Sequence, residues 1–312
     1  MEQVMERILM VRAVIMGLYK RFDRVVNPVA KFIISLIIVT KLNKYFAYSP
    51  LFATLTINMA MAALAAFLPA SWFVLLLMAV VTLQLFSVSI EATIIVFLTM
   101  LVVYLLFGRI QPKYAMLIML VPLFYSWNLT LVLPLFAGLF LGVSSIIPLG
   151  VGVGVYYFAA YLPGLLALHV PNATLFESPD ILIEMYKYLA KSMMADRDMI
   201  LSVGLFAGVV IVMYFVRKFE IDYIHYITIG LGVLSMVVIT MMGNVVLSAN
   251  LSVGGVFLGG VVAALIISAM QFTKFSLDYK RSEKLQFEDD DYVYYVRTIP
   301  KVKATPQQNQ SK

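Results

Sequence analysis

Ten apolar runs, most of them close to the length a bilayer demands, constrain this chain more than any other feature. They fall at residues 27–48, 51–68, 72–90, 92–108, 115–127, 129–147, 149–168, 199–216, 224–242 and 254–273. A spanning helix needs about 20 mostly apolar residues, because backbone polar groups find no water in the hydrocarbon and must bond within the segment. The runs are continuous and do not alternate with period two, which excludes a transmembrane β-barrel. Composition excludes more: 62% of the 312 residues are hydrophobic and 13% are charged, where soluble domains carry about 25% charge. A soluble enzyme, a disordered chain and a nucleic-acid-binding domain are all ruled out, despite a net charge of +6. The expected fold is an all-α polytopic membrane protein with about ten transmembrane helices, its membrane domain covering 27–273.

Residues 1–26 read differently. Val4, Ile8, Val11, Ile15, Leu18, Phe22 and Val25 recur at spacings of four and three, which places them on one helical face. Arg7, Arg12, Lys20, Arg21 and Arg24 are free to meet water and anionic headgroups. The pattern predicts an amphipathic helix on the cytoplasmic membrane surface, or one packed on the chain's own cytoplasmic loops. It is not a secretory signal, since Glu2, Glu6 and Asp23 interrupt it and no small-residue cleavage site follows a short apolar core.

Basic residues set the orientation. With ten spans and a cytoplasmic N-terminus, 18 of the 23 lysines and arginines fall on the cytoplasmic side; Lys41, Lys44, Lys187, Lys191 and Arg197 fall outside. Both termini are therefore expected in the cytoplasm. The long external connection, 169–198, carries Ser178-Pro179-Asp180 as a helix start and Leu182, Met185, Leu189 and Met193 on one face. An external amphipathic helix at about 177–195 follows, either a lid over a cavity or a connector along the interface.

The tail, 274–312, turns polar. Two β-prone stretches flank Asp289, Asp290 and Asp291, predicting a hairpin-like unit over 284–299, with 301–312 disordered. A lone hairpin is marginal in water. Phe287, Asp289, Asp290, Asp291, Tyr292, Tyr294 and Tyr295 are accordingly candidates for docking a cytoplasmic partner, a second copy or the chain's own loops.

Ionisable and polar groups at membrane depth are costly, so each is a candidate site. Asn58 and Gln84 lie within apolar runs, where interhelical hydrogen bonding is the common use. Glu91 falls between the third and fourth runs; a proton- or cation-handling role competes there with a hydrated loop position, which the location favours. The stretch 115–168 is rich in breakers: Pro122, Pro134, Pro148 and Pro163, interleaved with Gly138, Gly142, Gly150, Gly152 and Gly154. Broken helices are tolerated at membrane depth where they line a cavity, and transporters build sites from them. Gly142, Ser144, Ser145, Pro148 and Gly150 are thus the central pathway candidates, against the alternative that small residues only permit close packing.

Enzyme chemistry finds little footing. Cysteine is absent, and His169 and His225 fall on opposite sides of the membrane in this topology. No metal-ligand spacing, nucleophile elbow or phosphate loop occurs. No cofactor or metal is expected, and any nucleotide hydrolysis would belong to a separate chain.

The run Leu277-Asp278-Tyr279-Lys280-Arg281-Ser282-Glu283-Lys284, continuing through Leu285-Gln286-Phe287-Glu288-Asp289-Asp290-Asp291-Tyr292-Val293-Tyr294-Tyr295-Val296, resembles the C-terminus of a family of multi-pass proteins from anaerobic Gram-positive bacteria. The resemblance extends to the basic N-terminal helix and the Arg217-Lys218 to Tyr223 loop. That family is largely uncharacterised and often labelled "ABC transporter permease". The resemblance implies a bacterial plasma-membrane protein with a leaning towards transport, and brings no catalytic or binding residues with it. Two functions stand. One is a permease- or flippase-like subunit moving a small or lipid-like solute through 115–168, driven by a separate ATPase. The other is a non-transporting scaffold, alone or as a homo-oligomer, that docks cytoplasmic partners for cell-envelope assembly.

Overall fold

A computed structural model describes residues 26–44, 48–108, 112–168, 179–219, 221–274, 283–288 and 293–298, with Phe22 and Phe46. The surface helix expected over 1–26 lies, but for Phe22 and Val26, outside the described residues. So do Asp289–Asp291, Tyr292 and 301–312.

The chain is helical throughout its apolar part. The helices are α1 (Val26–Lys44), α2 (Leu55–Phe67), α3 (Ala70–Phe86), α4 (Ile90–Val103), α5 (Pro112–Ser126), α6 (Val132–Phe136), α7 (Ile146–Leu166), α8 (Pro179–Ala195), α9 (Arg197–Val216), α10 (Ile224–Leu247) and α11 (Val253–Lys274). Starts follow local chemistry. Ser89 caps α4 by accepting from the Ala92 amide at 3.2 Å, and Asp196 caps α9 by accepting from that of Met199 at 2.9 Å. Proline opens α5 and α8, where its missing N–H costs nothing. Two strands, β1 (Glu283–Glu288) and β2 (Val293–Thr298), pair antiparallel with Phe287 opposite Tyr294 and Gln286 opposite Tyr295.

Among the described residues six helices are long and apolar enough to cross a membrane: Val26–Lys44, Ile90–Phe107, Val143–Leu166, Arg197–Val216, Ile224–Leu247 and Val253–Phe272. Four further apolar helices are shorter: Leu55–Phe67, Trp72–Phe86, Met116–Ser126 and Val132–Leu141. At 1.5 Å per residue, the 13 residues of α2 reach about 20 Å, short of a hydrocarbon core of about 30 Å.

The run expected as one helix over 129–147 is divided. α6 widens into a π turn at Ala137–Leu141, the helix breaks at Gly142 with φ of 81°, and a 3-10 turn at Val143–Ser145 leads into α7. Only glycine adopts that φ without strain. Pro148, expected as the boundary, lies instead in the first turn of α7, where proline is harmless. A second π turn, Tyr104–Gly108, ends α4.

Three apolar clusters hold the helices. The largest joins Leu135, Leu149, Val153, Val209, Met213, Met236 and Ile267 across α6, α7, α9, α10 and α11. A second joins Leu85, Ala92, Val96, Leu162, Leu165, Met185 and Leu189, bringing α8 against α4 and α7. A third gathers Val39, Met61, Leu77 and Leu123 from α1, α2, α3 and α5.

Candidate functional site

Packing leaves two adjoining cavities on one side of the bundle. The larger, about 430 Å³, is walled by α3, α4, α5, α7 and α8. That size falls within the roughly 300–1,000 Å³ of small-molecule sites. Helix α8 presents Tyr186, Leu189, Ala190 and Met193 to it, a spacing that keeps them on one face. Helix α7 presents Val151, Gly154, Val155 and Phe158, and Gly154 has no neighbouring atom within 4 Å of where a Cβ would stand. Thr99 and Tyr104 are polar exceptions in a lining that is otherwise mainly apolar. Thr99 spends its hydroxyl on the Ile95 carbonyl at 2.8 Å.

The smaller cavity, about 110 Å³, lies between α1, α3, α4, α5 and α7. Met78, Met100, Met119, Val155 and Phe158 line both cavities and so form their common wall.

Beside the smaller cavity is a buried amide chain. Gln84 Nε2 donates to Asn43 Oδ1 at 2.8 Å, and Asn43 Nδ2 donates to Asn58 Oδ1 at 2.5 Å, tying α3, α1 and α2 together. All three residues are buried, and Gln84 Oε1 has no partner. Asn58 and Gln84 are thereby brought together. Their link, Asn43, carries no sequence signal beyond being an asparagine inside an apolar run. Glu91 is not a hydrated loop residue: it lies in the first turn of α4, is only 4% exposed, and accepts from the Ser89 hydroxyl at 2.7 Å. The α3–α4 turn is short enough to fold Glu91 in with its capping serine.

Gly142, Ser144, Ser145, Pro148 and Gly150 line neither cavity. Ser145 is fully buried and donates to the Gly142 carbonyl at 2.6 Å; Ser144 is exposed. Pro148 is buried, and Gly150 makes ordinary contact with Val203 of α9. The break is instead held from α9. Arg217 Nη1 donates to the Leu139 carbonyl at 2.5 Å and to that of Gly138 at 3.2 Å, both in the π turn.

Tyrosines supply polar contacts that the sequence did not mark. Tyr125 of α5 stacks on Tyr156 of α7 at 4.0 Å and meets Tyr157 edge-on. Tyr161 donates to Asp196 at 2.5 Å, where α8 gives way to α9. Spacing of tyrosines at four and five residues along α7 is the only trace of this in the sequence. Among the tail candidates, Phe287, Tyr294 and Tyr295 lie on paired strands, with Tyr294 exposed. No group of three or more acidic, histidine or cysteine side chains suited to a metal occurs among the described residues.

Comparison with protein-family models, curated proteins and solved structures returns no match to this chain.

Proposed function

We propose that this protein is a permease- or flippase-like membrane subunit that takes a lipid-like apolar chain into the larger cavity. In this reading the six long and four shorter apolar helices make ten passes in a bacterial plasma membrane. Both termini face the cytoplasm, and energy comes from an ATPase on a separate chain. The observation that carries it is the cavity of about 430 Å³ with its mainly apolar lining. Such a space inside helices that already face lipid has no use for water and every use for hydrocarbon, since apolar cavities stay dry. Helices α5 and α7, from the breaker-rich stretch 115–168, supply two of its walls, and α8 covers it as a lid would.

Mass spectrometry of lipids that co-purify with the protein tests the assignment. Gly154→Leu grows into open space and should deplete bound lipid-like species while leaving the folded yield unchanged. Wild-type levels of bound species in that variant would overturn the reading. A topology reporter fused after Lys312 should register as cytoplasmic and one inserted at Glu177 as external; the reverse would overturn the orientation.

The tail supports the second reading. A two-stranded unit is marginal alone, and exposed Tyr294 and Val296 offer a docking surface for a cytoplasmic partner. A partner that binds the full chain and is lost on Tyr294→Asp, with lipid binding absent, would favour the scaffold.

A further inference from the structure

The smaller cavity is chemically marked at one place. Its lining is apolar except at Lys41, Ser126 and Tyr156, and Lys41 is the one charged residue in it. Ile38, Lys41 and Leu42 share a face of α1, and Lys41 is exposed, so its stem lines the edge of the cavity and its ammonium reaches outward from it. The Ser126 hydroxyl donates to the Leu123 carbonyl at 2.7 Å, so its proton is already used and it does not donate into the cavity. Tyr156 is held in place by its stack on Tyr125. An ammonium exposed at such an edge is hydrated while the cavity is empty and can pair with an anion whose tail lies inside. The volume, about 110 Å³, suits a small anionic group and not a bulky head.

The partition between the two cavities is soft. Three of its five side chains are Met78, Met100 and Met119, and methionine has three rotatable bonds and adapts to what it meets. Rotation of these side chains would join the two spaces into one channel with Lys41 at one end and α8 along the other.

We infer that the joined cavities hold a single-chain fatty carboxylate, its carboxylate paired with the Lys41 ammonium and its tail passing the three methionines into the larger cavity. This rests on the lipid-like reading of the larger cavity and adds the head group to it. Charge complementarity at Lys41 selects the carboxylate over an uncharged chain of the same length.

Equilibrium binding of palmitate and of hexadecanol to the purified full chain in neutral micelles, each corrected for partition into empty micelles, tests both parts. Wild type should bind palmitate about twofold to fivefold more tightly than hexadecanol, the margin of one exposed charge pair. Lys41→Gln should bring palmitate down to the hexadecanol level, and Lys41→Arg should restore most of the difference. Gly154→Leu should weaken both ligands alike. Equal affinity for the two ligands in wild type, or palmitate binding indifferent to Lys41→Gln, would sink the head-group assignment and leave the apolar cavity standing. Failure of both ligands to bind wild type would remove the cavity reading with it. The wild-type comparison of the two ligands decides the matter even if Lys41→Gln does not fold.

Discussion

Helices α1, α3, α4, α5, α7 and α8 wall the two cavities, whereas α6, α9, α10 and α11 line neither. Glycine behaves differently in the two regions. Along the closed side, a Cβ at Gly138 would stand 2.8 Å from the Met213 sulfur, one at Gly208 2.6 Å from Ile239, and one at Gly232 2.6 Å from Leu135. On the open side, Gly154 has nothing near it. The same residue type thus lets helices close together in one region and leaves room in the other. Tight packing at native density leaves no space for a ligand, so the proposed binding belongs to the open side. Helix α7 is the seam, facing cavities through Gly154 and Phe158 and the closed cluster through Leu149 and Val153.

The largest effect should come from swapping these roles. Gly138→Leu forces a branched side chain into the space Met213 occupies, and overpacking of this kind costs about 3 kcal/mol or more at the upper end of its range. Thermal unfolding in micelles should show a large loss of stability for Gly138→Leu and little change for Gly154→Leu. Equal losses would mean that the open side is as closely packed as the closed one, and the comparison would fall.

How much of this division was legible in the sequence depends on how local each signal is. Apolar runs are local: six of the ten lie over helices long enough to cross a membrane, and the one over 129–147 is divided at Gly142. The breakers were also visible, but their use was not. Gly142 and Pro148 are both breakers six residues apart, and only packing chooses between them: Met213 against Gly138 and Arg217 on the π-turn carbonyls fix the end of α6 ahead of Gly142. Hydropathy along one segment cannot show a cavity either, because the void arises from how several distant helices are spaced. The sequence places Lys41 with the external basic residues and does not mark Asn43 at all, for the same reason. Their partners are Gln84 and Asn58 on other helices, or a wall drawn from five.

A second, smaller effect probes the open side's own fastening. Asn43 both accepts from Gln84 and donates to Asn58, so Asn43→Leu strips two buried amides of their partners. An unsatisfied buried polar group costs about 1–3 kcal/mol, and pairs between membrane helices are worth less, about 0.6 kcal/mol on average. A loss of about 2 kcal/mol is expected. Gln84→Leu should cost less, about 1 kcal/mol, because it leaves only Asn43 Oδ1 without its donor and also removes an acceptor, Oε1, that had no partner. Comparable losses from the two substitutions would show that Gln84 Oε1 is satisfied in the membrane, by water or by a ligand entering from the adjoining cavity.

The smallest effect belongs to the closed side, where α6 is short and needs a tether. Arg217 reaches from the end of α9 to the carbonyls of Gly138 and Leu139, which the π turn and the break at Gly142 leave without their usual helical donors. Arg217 is solvent-exposed, so the link is partly screened and its loss should act locally. Arg217→Gln should speed amide hydrogen exchange over 137–145 by about threefold to tenfold, with global unfolding nearly unchanged. Arg217→Lys should recover part of the protection, because one nitrogen, Nη1, makes both contacts and an ammonium carries three donors. Exchange that quickens instead in α8 would place the loose element on the open side. The frame would then be α6 through α11 without need of a tether, and the cavity's cover the part that moves.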